Sequence, residues 1–502
     1  MEAIQPAVRT VQGTTANGAF MSTTELSHHA DLSRSDLVAP LVSDAAVPAA
    51  IVSADAPAAG VETRPRWSLL TRLAFRFTLL YIVLYTCTKA QLFRGVFSPI
   101  LQLLPFTVPP PSSSSVVQGL ANHIAIKWWG YAEPVRGWHQ GGGDKPFDWA
   151  LNFGLLLIAL GGMAVWSAVD WKRVSYPRLH TWFRLFMRLA VGSQMIGYGF
   201  AKAFPMQMPS PGLTQMLSPY GNLNLMGVLW SKIGSSPAYE IFTGCAEMLA
   251  GILLLIPGLT TIGALIAIPV TFQVWMLNMT YDVPVKNLSG HLLIMSGLLL
   301  LPELKRLGTV LVLKRPTEMW REARYFRNVT AHRIVVGLQA IAAVWMIYSG
   351  FTGAQQGWKT YPYNQPKPPL YGVWNIDRMT IDGVERAPRL DDYDRWRRVV
   401  VSLPYSIGFQ RMNDSYSTFR ARVDLDANVI TFTNDVPSFF PQPPNTPKPP
   451  VRESGKMTIA RPAPDKMILE GTLNGKQLRL ETTYWDPAKN LRLMQARFRW
   501  IQ

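Results

Sequence analysis

The feature that most constrains this chain is a succession of long apolar blocks between residues 67 and 351. A helix needs about 20 mostly apolar residues to cross a bilayer, where hydrocarbon offers backbone N–H and C=O groups no outside partner. Blocks at about 69–93, 148–168, 178–203, 237–256, 259–279, 287–304 and 330–351 suit that length. They predict an α-helical polytopic membrane bundle of about seven transmembrane helices over residues 65–351.

The net charge of +17 could suggest nucleic acid, but its placement argues against that partner. Arg64, Arg66, Arg72 and Arg76 flank or enter the start of the first block. Lys172, Arg173, Arg178 and Arg184 follow the second, and Lys305, Arg306, Lys314, Arg315, Arg321, Arg324 and Arg327 follow the sixth. Basic clusters at the ends of spans mark cytoplasmic connections, whereas a nucleic-acid protein would carry a basic face on a soluble domain. The alternation puts the N-terminus in the cytoplasm. It puts residues 94–147, 204–236 and 280–286, and everything after the seventh block, on the extracytoplasmic side. Arg72 and Arg76 are expected to snorkel to the interface. The bilayer is thus the predicted partner, with room for a membrane or periplasmic partner subunit.

Residues 1–64 are rich in Ala, Val, Ser, Thr and Pro without a sustained period, and read as a disordered tail. No signal-peptide core precedes the first block, so that block is expected to act as the targeting signal. Cys87 and Cys245 lie within apolar blocks and form no CxxC, so both read as small buried apolar side chains.

After a Pro-, Gln- and Lys-rich linker over 352–369, the pattern changes to short β-prone runs: 416–423, 429–433, 456–460, 467–473, 478–482 and 493–501. Asp382-Gly383 and Asn474-Gly475 are hairpin signals, because a type I′ turn needs positive φ at both central residues. Residues 370–502 are therefore an extracytoplasmic all-β domain, a barrel or a sandwich, with an inserted Pro-rich loop over 437–451.

Polar residues inside the blocks are costly unless paired or hydrated, and so point to function. Gln194, Tyr198 and Lys202 share one helical face, as do Glu240 and Glu247. Gln273, Asn278, Asp282, Lys286 and His291 join them toward the extracytoplasmic side. Packing alone accounts for a Lys202–Glu240 pair, an Asp282–Lys286 pair and amides that stitch helices together. Glu247 and His291 lie deeper, and are the candidates for catalysis or for facing a shared pocket flanked by Tyr198 and Lys202. Gly192, Gly197, Gly199, Gly244, Ala246 and Gly251 read as close-approach positions between helices.

Tyr198-Gly199-Phe200-Ala201-Lys202-Ala203-Phe204, Pro219-Tyr220-Gly221, Ser236 to Gly244, and Asn278 to Lys286 resemble, in that order, the DoxX-like membrane proteins of bacteria, as does the turn Gly141-Gly142-Gly143-Asp144. The resemblance spans roughly residues 140–305. It implies a four-helix core in a bacterial inner membrane and, through the founding relatives, subunits of a thiosulfate:quinone oxidoreductase, a link to quinone chemistry. No haem, flavin or metal motif accompanies it, so electron transfer would need a bound quinone or a partner subunit. Gly372-Val373-Trp374 resembles the lipocalin Gly-x-Trp, with Arg497 or Arg499 placed to stack on the tryptophan. Two readings follow: a quinone-linked oxidoreductase component, or a non-enzymatic, membrane-anchored lipid-binding or accessory protein.

Overall fold

A computed structural model describes residues 66–106, 108–109, 111, 114–135, 143–318, 323–433 and 453–495. The expected disordered tail, Gly141-Gly142, the 437–451 insertion, Arg497 and Arg499 lie outside the described residues.

The helices in chain order are α1 (Leu69–Thr88), α2 (Ala90–Leu101), α3 (Ser115–Lys127), α4 (Pro146–Val169), α5 (Pro177–Ala203), α6 (Leu213–Leu217), α7 (Leu225–Gly234), α8 (Pro237–Leu255), α9 (Thr260–Thr280), α10 (Lys286–Leu300), α11 (Leu304–Leu311) and α12 (Val329–Thr360). Among the described residues, six helices are long and apolar enough to cross a membrane: α1, α4, α8, α9, α10 with its continuation to Leu311, and α12. These apolar helices make the chain a membrane-spanning protein. The 27-residue α5 is long enough, but Arg178, Arg184, Arg188 and Lys202 lower its hydropathy. Pro177 and Pro237 open α5 and α8, where the missing N–H costs nothing.

Two boundaries differ from the sequence reading. The first block is broken: Lys89 is extended (φ −84°, ψ 113°) between α1 and α2. The seventh runs through the predicted linker to Thr360, so 352–360 is helix.

α5 and α8 pack antiparallel at backbone contact. A Cβ on Gly244 would lie 2.6 Å from the Gly199 carbonyl oxygen and 2.7 Å from Lys202 Cβ, and one on Gly251 would lie 2.9 Å from the Gly192 carbonyl oxygen. Gly197 faces open space and has no such role. Substituting Gly244→Val should force these helices apart and cost about 1–3 kcal/mol, read as a lower midpoint in thermal unfolding of detergent-purified protein. The same change at Gly197 should leave the midpoint within a degree or two.

The C-terminal domain is a closed antiparallel barrel rather than a sandwich. Its strands are β1 (Gly372–Ile381), β2 (Val384–Glu385), β3 (Trp396–Leu403), β4 (Ser406–Arg411), β5 (Tyr416–Asp424), β6 (Val429–Thr433), β7 (Glu453–Ala463), β8 (Lys466–Leu473) and β9 (Lys476–Trp485). They pair in sequence order, and β1 also pairs with β9, closing eight strands, while β2 only extends a hairpin from β1. Both hairpin signals form as expected: Asp382 and Gly383 have φ of 50° and 82°, Asn474 and Gly475 of 52° and 79°. The expected strand over 493–501 does not begin as one. Residues 487–490 and 492–495 form the short helices α13 and α14, so β9 is the last described strand. Alternate side chains point inward, among them Ile430 and Phe432 on β6 and Met467 and Leu469 on β8. Trp374 also lies in this core. It donates to the Leu370 carbonyl at 3.0 Å and meets Tyr484 edge-on, and the cation 5.8 Å above it is Arg461 of β7.

The barrel docks on α6. Leu213 is buried with Val373 and Val400, two outward-facing strand residues, and Gln410 donates to the Leu217 carbonyl at 3.4 Å. Burial in this contact pushes the Tyr416 phenol up to about 12. Tyr361, just beyond α12, donates to the Met206 carbonyl at 2.8 Å and ties the barrel's stem to the same α5–α8 connection.

Candidate functional site

The end of the bundle that carries the barrel holds one group of its buried polar side chains, built up from three junctions. The first is the break at Lys89. Its ammonium reaches Asp148 at 2.6 Å, and Asp148 also accepts from the Lys145 N–H at the start of α4. A carboxylate there answers both the cation and the unsatisfied N–H groups of the helix terminus. The second is the entry to α10, where Asp144 accepts from the Lys286 N–H at 2.5 Å and the Asn287 N–H at 2.9 Å. The third is the α5–α8 contact, which sets the level of Lys202.

Lys202 donates to both Glu247 oxygens at 2.7 Å, and the two side chains are only 7% and 6% exposed. The expected Lys202–Glu240 pair is therefore not formed. Glu240 is buried and accepts from the Met208 N–H at 2.9 Å, while its Oε2 has no partner among the described residues. Tyr198 donates to the Gln91 side chain at 3.3 Å, Gln194 donates to the Gln91 carbonyl at 3.0 Å, and the Lys202 ammonium lies 5.7 Å from the Tyr198 ring.

His291 belongs to a different group. Its Nδ1 donates to the Asn287 carbonyl at 2.8 Å, one turn earlier, which leaves Nε2 as the acceptor for the Tyr81 hydroxyl, also at 2.8 Å. Its ring stacks on Tyr85 with centroids 3.7 Å apart, and Tyr85 donates to the Asn287 side-chain oxygen at 3.0 Å. The amide nitrogen of Asn287 is buried and has no partner among the described residues. Glu247 and His291 thus do not share hydrogen-bond partners: α5 holds one and α1 the other.

The remaining candidates divide. Asp282 pairs with Lys286 at 2.6 Å, as expected, and is largely exposed. Asn278 donates to Ser289 at 3.0 Å and stitches α9 to α10. Gln273 is exposed on the outward face of α9 beside Phe272 and Met276, so it does not join the cluster. Nor are both cysteines buried: Cys87 is half-buried and Cys245 exposed. Among the described residues, no three His, Cys, Asp or Glu side chains gather as metal ligands.

Sequence reasoning missed Tyr81, Tyr85, Lys89, Asp148 and Asn287. One signal was present: Tyr81, Tyr85 and Lys89 are spaced by four on the first block, as are Asn287 and His291 on the sixth.

No family model matches the chain, and no solved structure matches it. Over 73 residues it is 38% identical to the Uncharacterized protein YwoB of Bacillus subtilis (strain 168). That stretch is 14% of this chain and 47% of that protein, so the chain spans about half the length of the curated relative it matches.

Proposed function

We propose that the chain is a DoxX-like protein of a bacterial inner membrane that binds a quinone or a similar oxygen-bearing lipophile at the Tyr81–Tyr85–Asn287–His291 cluster. In this reading α5 is the seventh span, and the N-terminus and the basic connections are cytoplasmic. The lipocalin-like barrel stands outside as a rigid cap. The observation that carries the reading is the amide nitrogen of Asn287, a buried donor with no partner among the described residues, on a residue whose side-chain oxygen accepts from Tyr85 and whose backbone carbonyl accepts from His291. A buried donor without an acceptor costs about 1–3 kcal/mol, and a ligand carbonyl oxygen would relieve that cost. The Tyr81–His291 pair can pass a proton to or from a hydroxyl bound beside it, while the ring of Tyr85 offers an aromatic wall. A bound quinone would supply the redox chemistry, with a partner subunit delivering or taking electrons, and this chain's residues would bind and orient it.

The rival, a non-enzymatic lipid-binding or accessory protein, draws support from the saturated Lys202–Glu247 pair, which serves packing without any ligand. A lipid carried inside the barrel is disfavoured, because the cavity at its mouth is about 150 Å³, below the roughly 300 Å³ of small-molecule sites. A short-chain benzoquinone titrated into the detergent-purified chain separates the two readings. Binding should saturate in the parent and weaken about tenfold in both Asn287→Ala and His291→Ala, the loss of one buried hydrogen bond each. Equal affinity in parent and variants, or no binding to the parent, would leave the accessory reading standing.

A further inference from the structure

At the opposite, basic end of the bundle a second cavity of about 420 Å³ is lined by Arg324, Val329, His332, Arg333 and Val336. It lies at the start of the 32-residue α12, where aligned peptide dipoles favour negative charge. Neither Arg324 nor Arg333 makes an ion pair among the described residues. His332 packs against the ring of buried Tyr325 at 5.5 Å, and its Nδ1 is buried with no partner among the described residues. Trp182 and Phe326, both exposed, stand beside Tyr325 and Trp182 respectively, as suits a membrane interface. From Arg333 the same face of α12 continues through Gly337, Ala340 and Val344, all exposed, and a Cβ on Gly337 would meet nothing within 4 Å. That leaves an open apolar furrow of about 16 Å at 1.5 Å per residue, close to half the roughly 30 Å hydrocarbon thickness.

We propose that this cavity seats the phosphodiester headgroup of an anionic glycerophospholipid, with an acyl chain along the furrow of α12. Two guanidinium groups with no ion pair among the described residues and a helix N-terminus match a phosphate, and the furrow matches the tail to which that phosphate is attached. A cavity of one sign at the headgroup level, opening onto an apolar helix face, is how membrane proteins hold acidic lipids. The site is remote from the quinone cluster in chain and in element, and stands whether or not that reading does.

The test is a thermal-melting and native mass-spectrometry titration of the full detergent-purified chain with phosphatidylglycerol, phosphatidylcholine and inorganic phosphate in separate arms. Phosphatidylglycerol should raise the melting temperature saturably and be retained in the gas phase. Phosphatidylcholine and inorganic phosphate should do neither. Arg333→Gln should weaken phosphatidylglycerol binding about fivefold, and Arg324→Gln with Arg333→Gln about 25-fold, the effect of removing surface cations one at a time. Melting of the lipid-free variants reports whether they fold. Equal responses to the two lipids, full protection by inorganic phosphate alone, or unchanged affinity in the double variant would each overturn the proposal.

Discussion

Substituting Glu247→Gln is expected to destabilise the bundle by about 3–5 kcal/mol, the cost of stranding one partner of a buried ion pair. The Lys202 ammonium is held at 2.7 Å by both carboxylate oxygens and is nearly inaccessible to solvent. Glutamine keeps the shape and offers one acceptor, but leaves the cation without a counter-charge where hydration is scarce. The double variant Lys202→Met with Glu247→Gln removes the charge as well, and should recover most of the lost stability, since an apolar replacement of a buried pair is often neutral. Thermal unfolding of the parent, both single variants and the double variant closes a cycle whose coupling term isolates the pair. A Glu247→Gln protein that melts with the parent would refute the role assigned here. Because the pair and His291 share no hydrogen-bond partners, the double variant should still bind the short-chain benzoquinone. This moves Glu247 from a candidate for chemistry to a clamp between α5 and α8.

That reassignment shows what the sequence could and could not reveal. Spacing put Glu240 and Glu247 on one face of α8, and put Lys202 at the end of α5 where a partner was needed. The choice between the two carboxylates depends on relative height, which no single helix encodes. Gly244 lies against Lys202 Cβ, so Lys202 stands three residues from Glu247 and four from Glu240. Side chains lean toward the N-terminus of their own helix. In this antiparallel pair Lys202 leans into the bundle and Glu247 leans out to meet it, while Glu240 leans away toward the Met208 N–H. The helix ends were legible for a local reason: Pro177 and Pro237 sit at first helical positions, and the predicted 178–203 and 237–256 nearly match α5 and α8. The break at Lys89 was illegible because its stabilising partner, Asp148, is 59 residues away. In the barrel, the Asp-Gly and Asn-Gly turns carried their own φ signature. β3 and β4 did not read as strands, since Arg397 and Arg398 and the small Gly408 interrupt the alternation. The site is the least legible part: the Tyr81–His291 contact joins the first block to the sixth, and only folding brings those faces together.

Replacing Arg76→Met should cost about 3 kcal/mol or more, the expense of leaving several buried acceptors unmet. A snorkelling arginine would lose little on the same change, so this residue is a sharp test of where its charge resides. Arg76 is 1% exposed and does not reach solvent. Its Nε donates to the Tyr176 hydroxyl at 3.0 Å, Nη1 to Ser167 at 2.8 Å, and Nη2 to the Asp170 carbonyl at 2.8 Å. Tyr176 in turn donates to the Asp170 carboxylate at 2.9 Å, and the guanidinium lies 5.3 Å from the Tyr176 ring and 5.9 Å from that of Trp166. One planar fork thus fixes the C-terminus of α4 and the turn into α5 against α1. Arg76→Lys keeps the charge but has one compact ammonium in place of the fork, so it should recover only part of the loss. Tyr176→Phe, which removes the relay to Asp170 and keeps the ring, should cost about 1–2 kcal/mol. The order of thermal midpoints should be parent, Tyr176→Phe, Arg76→Lys, Arg76→Met. If lysine restored the parent midpoint, charge alone would account for the site and the fork geometry would be irrelevant. If methionine matched the parent, the guanidinium would have to reside at the water interface after all.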